Sequence, residues 1–207
     1  MVVGLMLYRW LVKRKKTQQA IALCHQLYQN CCGFTLAIDA RTQQQLFSYE
    51  YIYGEINYHS FIKLLNKCEI TSESVFYDLG SGLGKAVVCA ALLYDVKKAC
   101  GIEQLQLLHE QAQMLQQKSA ELSNKNIHFL QADILTYDWT DADIVFINAS
   151  AYIGDFWQQL FKKLTQLKKG AQIIVVSKLL PSEMFTLKFS DFLPMSCGIV
   201  RVGVYLR

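Results

Sequence analysis

From Thr71 onward the chain alternates short apolar runs with longer amphipathic ones, and the first join between them is a glycine-rich turn. Few folds accept that pattern. A short apolar run buried on both faces is a parallel strand, and the amphipathic run after it is the crossover that lets the next strand lie parallel. The runs Val75 to Leu79, Ala99 to Glu103, Ile127 to Gln131, Ile144 to Asn148 and Gln172 to Ser177 are the candidate strands, with helices starting near Gly84, Leu105 and Ile153. The helix predicted over Ile153 to Lys168 sets Phe156, Trp157, Leu160, Phe161, Leu164 and Leu167 on one side and stops at Gly170. Lys188 to Leu193 and Ile199 to Leu206 follow each other too closely for a crossover, so they pair antiparallel. The expectation is an α/β sheet of five parallel strands closed by a C-terminal hairpin, with helices on both faces.

Ahead of this sheet, Ala20, Ile21, Leu23, Cys24, Leu27, Tyr28 and Cys31 recur at helical spacing, and Gly33 is placed to end that helix. An aromatic-rich stretch, Phe47 to Tyr58, has no clean period and reads as an ordered loop; Asn57 or Ser60 then caps a helix carrying Phe61, Ile62, Leu64 and Leu65. Three parts follow: a basic apolar segment, residues 1–16; a helical cap with a loop over the site, 17–70; and the sheet domain, 71–207.

With 207 residues, 52% of them hydrophobic and 18% charged, the chain suits one packed domain. The net charge of +4 is local, because residues 1–38 hold five basic residues and no acid, leaving 16 basic and 17 acidic residues in the rest. A body so nearly neutral argues against a nucleic-acid partner, which needs a basic face to neutralise phosphates. Met1 to Val12 is apolar apart from Arg9 and is followed by Lys13 to Lys16. It is too short to span a bilayer, and its charges follow the apolar run where a signal peptide's precede it. A weak contact with an anionic membrane surface through Trp10 and the basic run remains open beside a plain first helix. Seven scattered cysteines, an odd number without CxxC spacing, point to reduced thiols, an intracellular and cytoplasmic setting, and no metal site.

Asp78-Leu79-Gly80-Ser81-Gly82-Leu83-Gly84 follows a predicted strand and opens a predicted helix, the context in which glycines bring backbone close to a nucleoside. A dinucleotide turn would place its third glycine at position 85, which is Lys85; the glycine at 84 instead makes the turn similar to that of S-adenosyl-L-methionine enzymes of class I, whose Rossmann-like sheet has the strand arrangement above. Glu103 ends the second strand, where a carboxylate accepts hydrogen bonds from ribose hydroxyls. Asp133 and Asn148 end the next two strands; the first suits the exocyclic amine of adenine and the second the reacting methyl, and each could instead only cap the segment after it.

Taken with Tyr53-Gly54-Glu55 ahead of a helix, Phe76 to Gly84, Gly101-Ile102-Glu103, Ala132-Asp133, Val145 to Tyr152 and Ile174 to Lys178, the stretch from Tyr53 to Arg207 resembles the disruptor-of-telomeric-silencing family of histone lysine methyltransferases that lack a SET domain. The resemblance implies that Tyr53, Gly54 and Glu55 fold over the methionine end of S-adenosyl-L-methionine, that Asp78 and the backbone of Gly80 and Gly82 line the same end, and that Lys85 stands where the family has a glutamine. It implies Glu103 on the ribose, Asp133 on adenine with Ile134 against the base, and Asn148 bordering a lysine channel walled by Phe146 and Tyr152, to which Tyr205 adds. Ile56, Ala149 and Ser150 depart from the family pattern. The family's basic nucleosome-holding extension is not in this sequence, and residues 9–16 substitute for it only weakly.

The implied reaction is methylation of a protein lysine, leaving S-adenosyl-L-homocysteine as product. Two alternatives stand beside it: a class I methyltransferase acting on a nucleic-acid base or a small molecule, and a binding module without catalysis. Asn148-Ala149-Ser150-Ala151-Tyr152 is loosely similar to the Asn-Pro-Pro-Tyr element of adenine methyltransferases, but without its two prolines.

Overall fold

The computed structural model describes residues 2–196 and 198–207, with side chains at position 8 and from position 10 onward. Met1 and Cys197 lie outside the described residues. Seven strands form one sheet: β1 (Val75–Leu79), β2 (Lys98–Glu103), β3 (Ile127–Gln131), β4 (Ile144–Asn148), β5 (Gln172–Val176), β6 (Thr186–Met195) and β7 (Gly198–Leu206). Their order is β3-β2-β1-β4-β5-β7-β6. The first five are parallel and the last two antiparallel, as expected from the spacing.

Strand alternation sorts the core. Phe76, Ala99, Ile144, Phe146, Ile174 and Val204 face one way, against α3 (Tyr58–Leu65), α4 (Lys85–Tyr94) and α5 (Gln106–Lys118). Tyr77, Ile102, Val145, Ile173, Val175 and Tyr205 face the other, against α6 (Gly154–Leu164) and the connection after β3, which carries the buried Trp139. Asn57 is the cap of α3, its Oδ1 accepting from the Ser60 amide at 3.1 Å. α6 ends at Leu164, four residues earlier than predicted, and Leu167 is buried from the turn after it.

Two expectations are corrected. α1 runs unbroken from Val2 to Tyr28, so residues 1–16 and 17–31 do not divide into separate elements. Gly33 does not end that helix; it is the first residue of another, α2 (Gly33–Gln44). The reason for a glycine there is room, since a Cβ would collide with the Tyr53 ring. α1 and α2 add an outer layer over α4 and α5.

Candidate active site

Strand order reverses between β1 and β4, and open α/β sheets bind ligands at the carboxyl ends of strands flanking such a point. A cavity of about 440 Å³ opens there, within the usual range for small-molecule sites. Tyr53, Gly54, Gly80, Glu103, Ile134, Asn148 and Tyr152, all predicted site residues, line it.

The turn after β1 is shaped by close approach. Gly84 has φ +81°, and a Cβ on it would strike the Phe129 ring of β3, which explains a third glycine at this position. Gly82, at φ +54°, lies under the Tyr53 ring; a Cβ there would sit 2.5 Å from Tyr53 Cε2. Tyr53 is thus held between Gly33 and Gly82, folding its loop over the turn. Burial and the neighbouring Glu55 raise the Tyr53 hydroxyl pKa, so it stays protonated and donates to Glu55 Oε1 at 2.9 Å.

Glu103 braces the turn. Its Oε2 accepts from the Gly82 amide and its Oε1 from the Leu105 amide, both at 2.8 Å. Burial raises its pKa, while those backbone hydrogen bonds oppose the rise. Each carboxylate oxygen keeps a second lone pair, so acceptor capacity remains for a ligand hydroxyl at the cavity wall. Asp78 lies at the end of β1, 3% exposed and outside the cavity wall; burial, and then Glu103, push its pKa well up. The folded state therefore holds this proton more tightly than the unfolded chain does, and stability is lost as pH rises from the ordinary carboxylate range through the raised value. Asp78→Asn is expected to gain about 1 kcal/mol at neutral pH, raising Tm by roughly 2–4 °C and flattening the decline that remains from Glu103. Thermal unfolding across pH checks this; an unchanged slope would show the carboxylate to be well solvated.

The other predicted residues fall in three places. Asp133 Oδ1 accepts from the Leu135 amide at 2.8 Å, an Asx turn that presents Ile134 to the cavity beside Leu105, Leu108 and Ala132. Glu55 and Lys85 lie outside the main cavity, lining a smaller cleft behind the loop, where Lys85 Nζ pairs with Glu55 Oε2 at 2.6 Å. Phe146 is corrected: it shares a sheet face with Asn148 but sits one pleat deeper, in the core, 4.9 Å from the Phe61 ring. Tyr205, also assigned to the wall, is buried on the opposite face of the sheet.

Asn148 ends β4 with its side chain in the cavity wall. Its Oδ1 accepts from Ser150 Oγ at 2.8 Å, and its Nδ2 lies 2.9 Å from where a Cβ on Gly54 would be. The hydrogen bond from Ser150 orients the amide, whose oxygen keeps a second lone pair, and the close approach of Nδ2 explains a glycine at position 54. Tyr152 Oη donates to the Leu79 carbonyl at 3.3 Å, and burial raises its pKa, so it is a wall and not a base.

One fastening was missed from the sequence. Ser196, between β6 and β7, accepts from the Glu55 amide at 2.7 Å through Oγ, and its own amide donates to the Glu55 carbonyl at 3.2 Å. The hairpin tip thereby clasps the Tyr53-Gly54-Glu55 loop across 141 positions, and no local pattern announces it.

Comparison with known proteins bears on the fold and the family. Among solved structures, an RNA methyltransferase from Salinibacter ruber, crystallised with S-adenosyl-L-homocysteine, superposes with a TM-score of 0.57 at 22% identity, covering 72% of this chain and 90% of that one. A methylase from Haemophilus influenzae gives 0.57 at 21%, covering 71% and 87%. At that identity the likeness concerns the fold, which is that of class I methyltransferases. Two proteins named histone-lysine N-methyltransferase, H3 lysine-79 specific, are similar in sequence: one from Caenorhabditis elegans, 29% identical over 160 residues, and one from Kluyveromyces lactis, 24% over 174. The matches cover 72% and 78% of this chain but only 17% and 30% of those longer proteins. The family model described as histone methylation protein DOT1 matches residues 34–194, from α2 through nearly all of β6, and the chain belongs to that family.

Proposed function

We propose that the protein is an S-adenosyl-L-methionine-dependent methyltransferase whose acceptor is a lysine side chain of another protein. The observation that carries this reading is one cavity that holds Glu103, with acceptor capacity to spare, beside the glycine turn, and Asn148, with its amide oriented, at the neighbouring strand end. The donor fits by its chemistry: Glu103 offers lone pairs to ribose hydroxyls, Ile134, Leu105 and Ala132 make an apolar slot for a purine, and Tyr53 covers the turn where the methionine end would lie. When bound, the donor supplies an electrophilic methyl on a sulfonium.

What the chain must do is deliver a neutral amine in line with that methyl. A lysine of ordinary pKa near 10.4 loses its proton at pH 7 at a cost of about 4–5 kcal/mol. Apolar surroundings lower that pKa and reduce the cost, whereas an adjacent carboxylate would favour the ammonium. Asn148 is suited to this: the free lone pair on its amide oxygen accepts an amine N–H without adding charge. Tyr152 and Ile153 provide apolar wall beside it. Positioning rather than a strong base carries the rate. The H3 lysine-79 specificity named for the relatives makes nucleosomal histone the first acceptor to try.

Incubation with labelled donor and fractionated cell extract, followed by mass spectrometry, is expected to place the label on lysine; label on RNA or on a small molecule would overturn the acceptor. Asn148→Ala should lower the single-turnover rate by about a hundredfold, the scale of losing one polar group at a reacting centre, with S-adenosyl-L-homocysteine affinity within about threefold of the parent. An unchanged rate would remove Asn148 from the chemistry.

A further inference from the structure

The described side chains in the first half of α1 stand clear of the packed body. Among the described side chains Ala20 is the first buried one of the helix, and Lys16 turns back to the body to pair with Asp95 at 2.6 Å. Before it, Tyr8, Trp10, Leu11 and Val12 are 65%, 53%, 50% and 48% exposed, and Lys13, Arg14 and Lys15 are exposed as well. At 100° per residue these four apolar side chains spread over about 200° of the helix circumference, and the sequence before them, Val2 to Leu7, is uncharged. An apolar stripe this wide and this exposed calls for a cover.

What covers it is indicated by charge. Three exposed cations follow the apolar run within one turn, and the first 38 residues contain no acid to neutralise them. Arg14 lies over the Trp10 ring, 5.3 Å from its centroid, so indole and guanidinium share one level along the axis. Aromatic rings and cations at one level, beyond an apolar segment, match the layering of a bilayer: hydrocarbon, interface, phosphate headgroups. From Val2 to Val12 the helix rises about 16 Å, roughly half the ~30 Å hydrocarbon core. Among the described residues no helix is long and apolar enough to cross a membrane.

We infer that the first half of α1 docks the protein onto an anionic lipid surface, with Tyr8 and Trp10–Val12 in the outer leaflet region and Lys13–Lys15 on the headgroups. The inference is independent of the methyl-transfer reading, because none of these residues lines the cavity.

Flotation of the full chain with phosphatidylserine-containing vesicles tests it, with phosphatidylcholine vesicles as the neutral arm. The protein is expected to float with the anionic vesicles and to bind neutral ones far more weakly, and added salt should release it. Lys13→Gln/Arg14→Gln/Lys15→Gln should weaken anionic binding by about a hundredfold, following from roughly a fivefold loss per cation at the surface. Trp10→Ser/Leu11→Ser/Val12→Ser should abolish binding to both vesicle types. Both triple variants lie outside the packed body and should keep the parent's melting temperature. Absence of flotation, flotation indifferent to both variants, or a vesicle-free dimer that the apolar variant converts to monomer would each overturn the inference, the last by showing a second copy to be the cover.

Discussion

Glu103→Ala is expected to weaken S-adenosyl-L-homocysteine binding by more than a hundredfold, roughly 2.8 kcal/mol or more, and to lower the melting temperature together with it. Two losses coincide. The substitution removes the acceptor available to a ligand hydroxyl, and it strands the Gly82 and Leu105 amides, each held at 2.8 Å by this carboxylate. A buried donor left without a partner costs about 1–3 kcal/mol, part of which is returned because a buried charge is removed as well. The turn then loses its brace even without ligand. Glu103→Gln helps to separate the effects: its amide oxygen still accepts from one backbone amide while its NH2 faces the other, so stability should lie between those of the parent and the alanine variant while affinity falls by about tenfold. Titration calorimetry and thermal unfolding on both variants decide it. An alanine variant that binds within threefold of the parent would show that Glu103 braces the turn and nothing else.

The second large effect is expected far from any reacting atom. Trp139 is fully buried on the face opposite α4, in a connection that contains no helix. Its indole N–H donates to the Ile134 carbonyl at 2.8 Å, and Lys163 of α6 stacks over the ring, 5.1 Å from its centroid, while donating to the carbonyls of Ile134, Leu135 and Tyr137. One side chain thus anchors the segment that presents Ile134 to the cavity. Trp139→Ala should cost about 3–5 kcal/mol, a fall in Tm on the order of 10 °C for a domain of this size. Affinity for S-adenosyl-L-homocysteine should fall with it, because the slot proposed for the purine loses a fixed wall. Trp139→Phe retains much of the volume but not the hydrogen bond and should recover about half the stability. Equal destabilisation by both would put the whole effect on the indole N–H.

The sheet was legible because its strands are short apolar runs bounded by glycine or polar residues. β1, β3 and β4 begin and end at the residues the pattern names. The close spacing of the last two runs excluded a crossover, and β6 and β7 are antiparallel accordingly. Turn and strand-end residues were legible for the same reason: a parallel sheet brings all its carboxyl ends to one rim, so Gly80, Glu103 and Asn148 had to be neighbours. α2 was not legible. It has no side-chain cap at Cys32, only small residues (Gly33, Ala37 and Ala40) on its buried side, and an opening glycine that reads as a stop. Phe146 shows the limit of alternation, which gives the face of a side chain but not its depth. Lys85 and Glu55, 30 positions apart, are joined by the loop's path, and Ser196 by a hairpin closing on that loop; neither contact has a local signature.

Those contacts converge on one strip. The strip over the glycine turn is pinned by a ring between two glycines, by a partly buried ion pair to α4 and by the hairpin tip. All three act on Tyr53 and Glu55, two residues of one short strip, so the strip is held over the turn as a unit. Any loosening of the hairpin tip would therefore be felt at the glycine turn, and the last two strands, though remote from that turn in sequence, help to set how firmly it is covered.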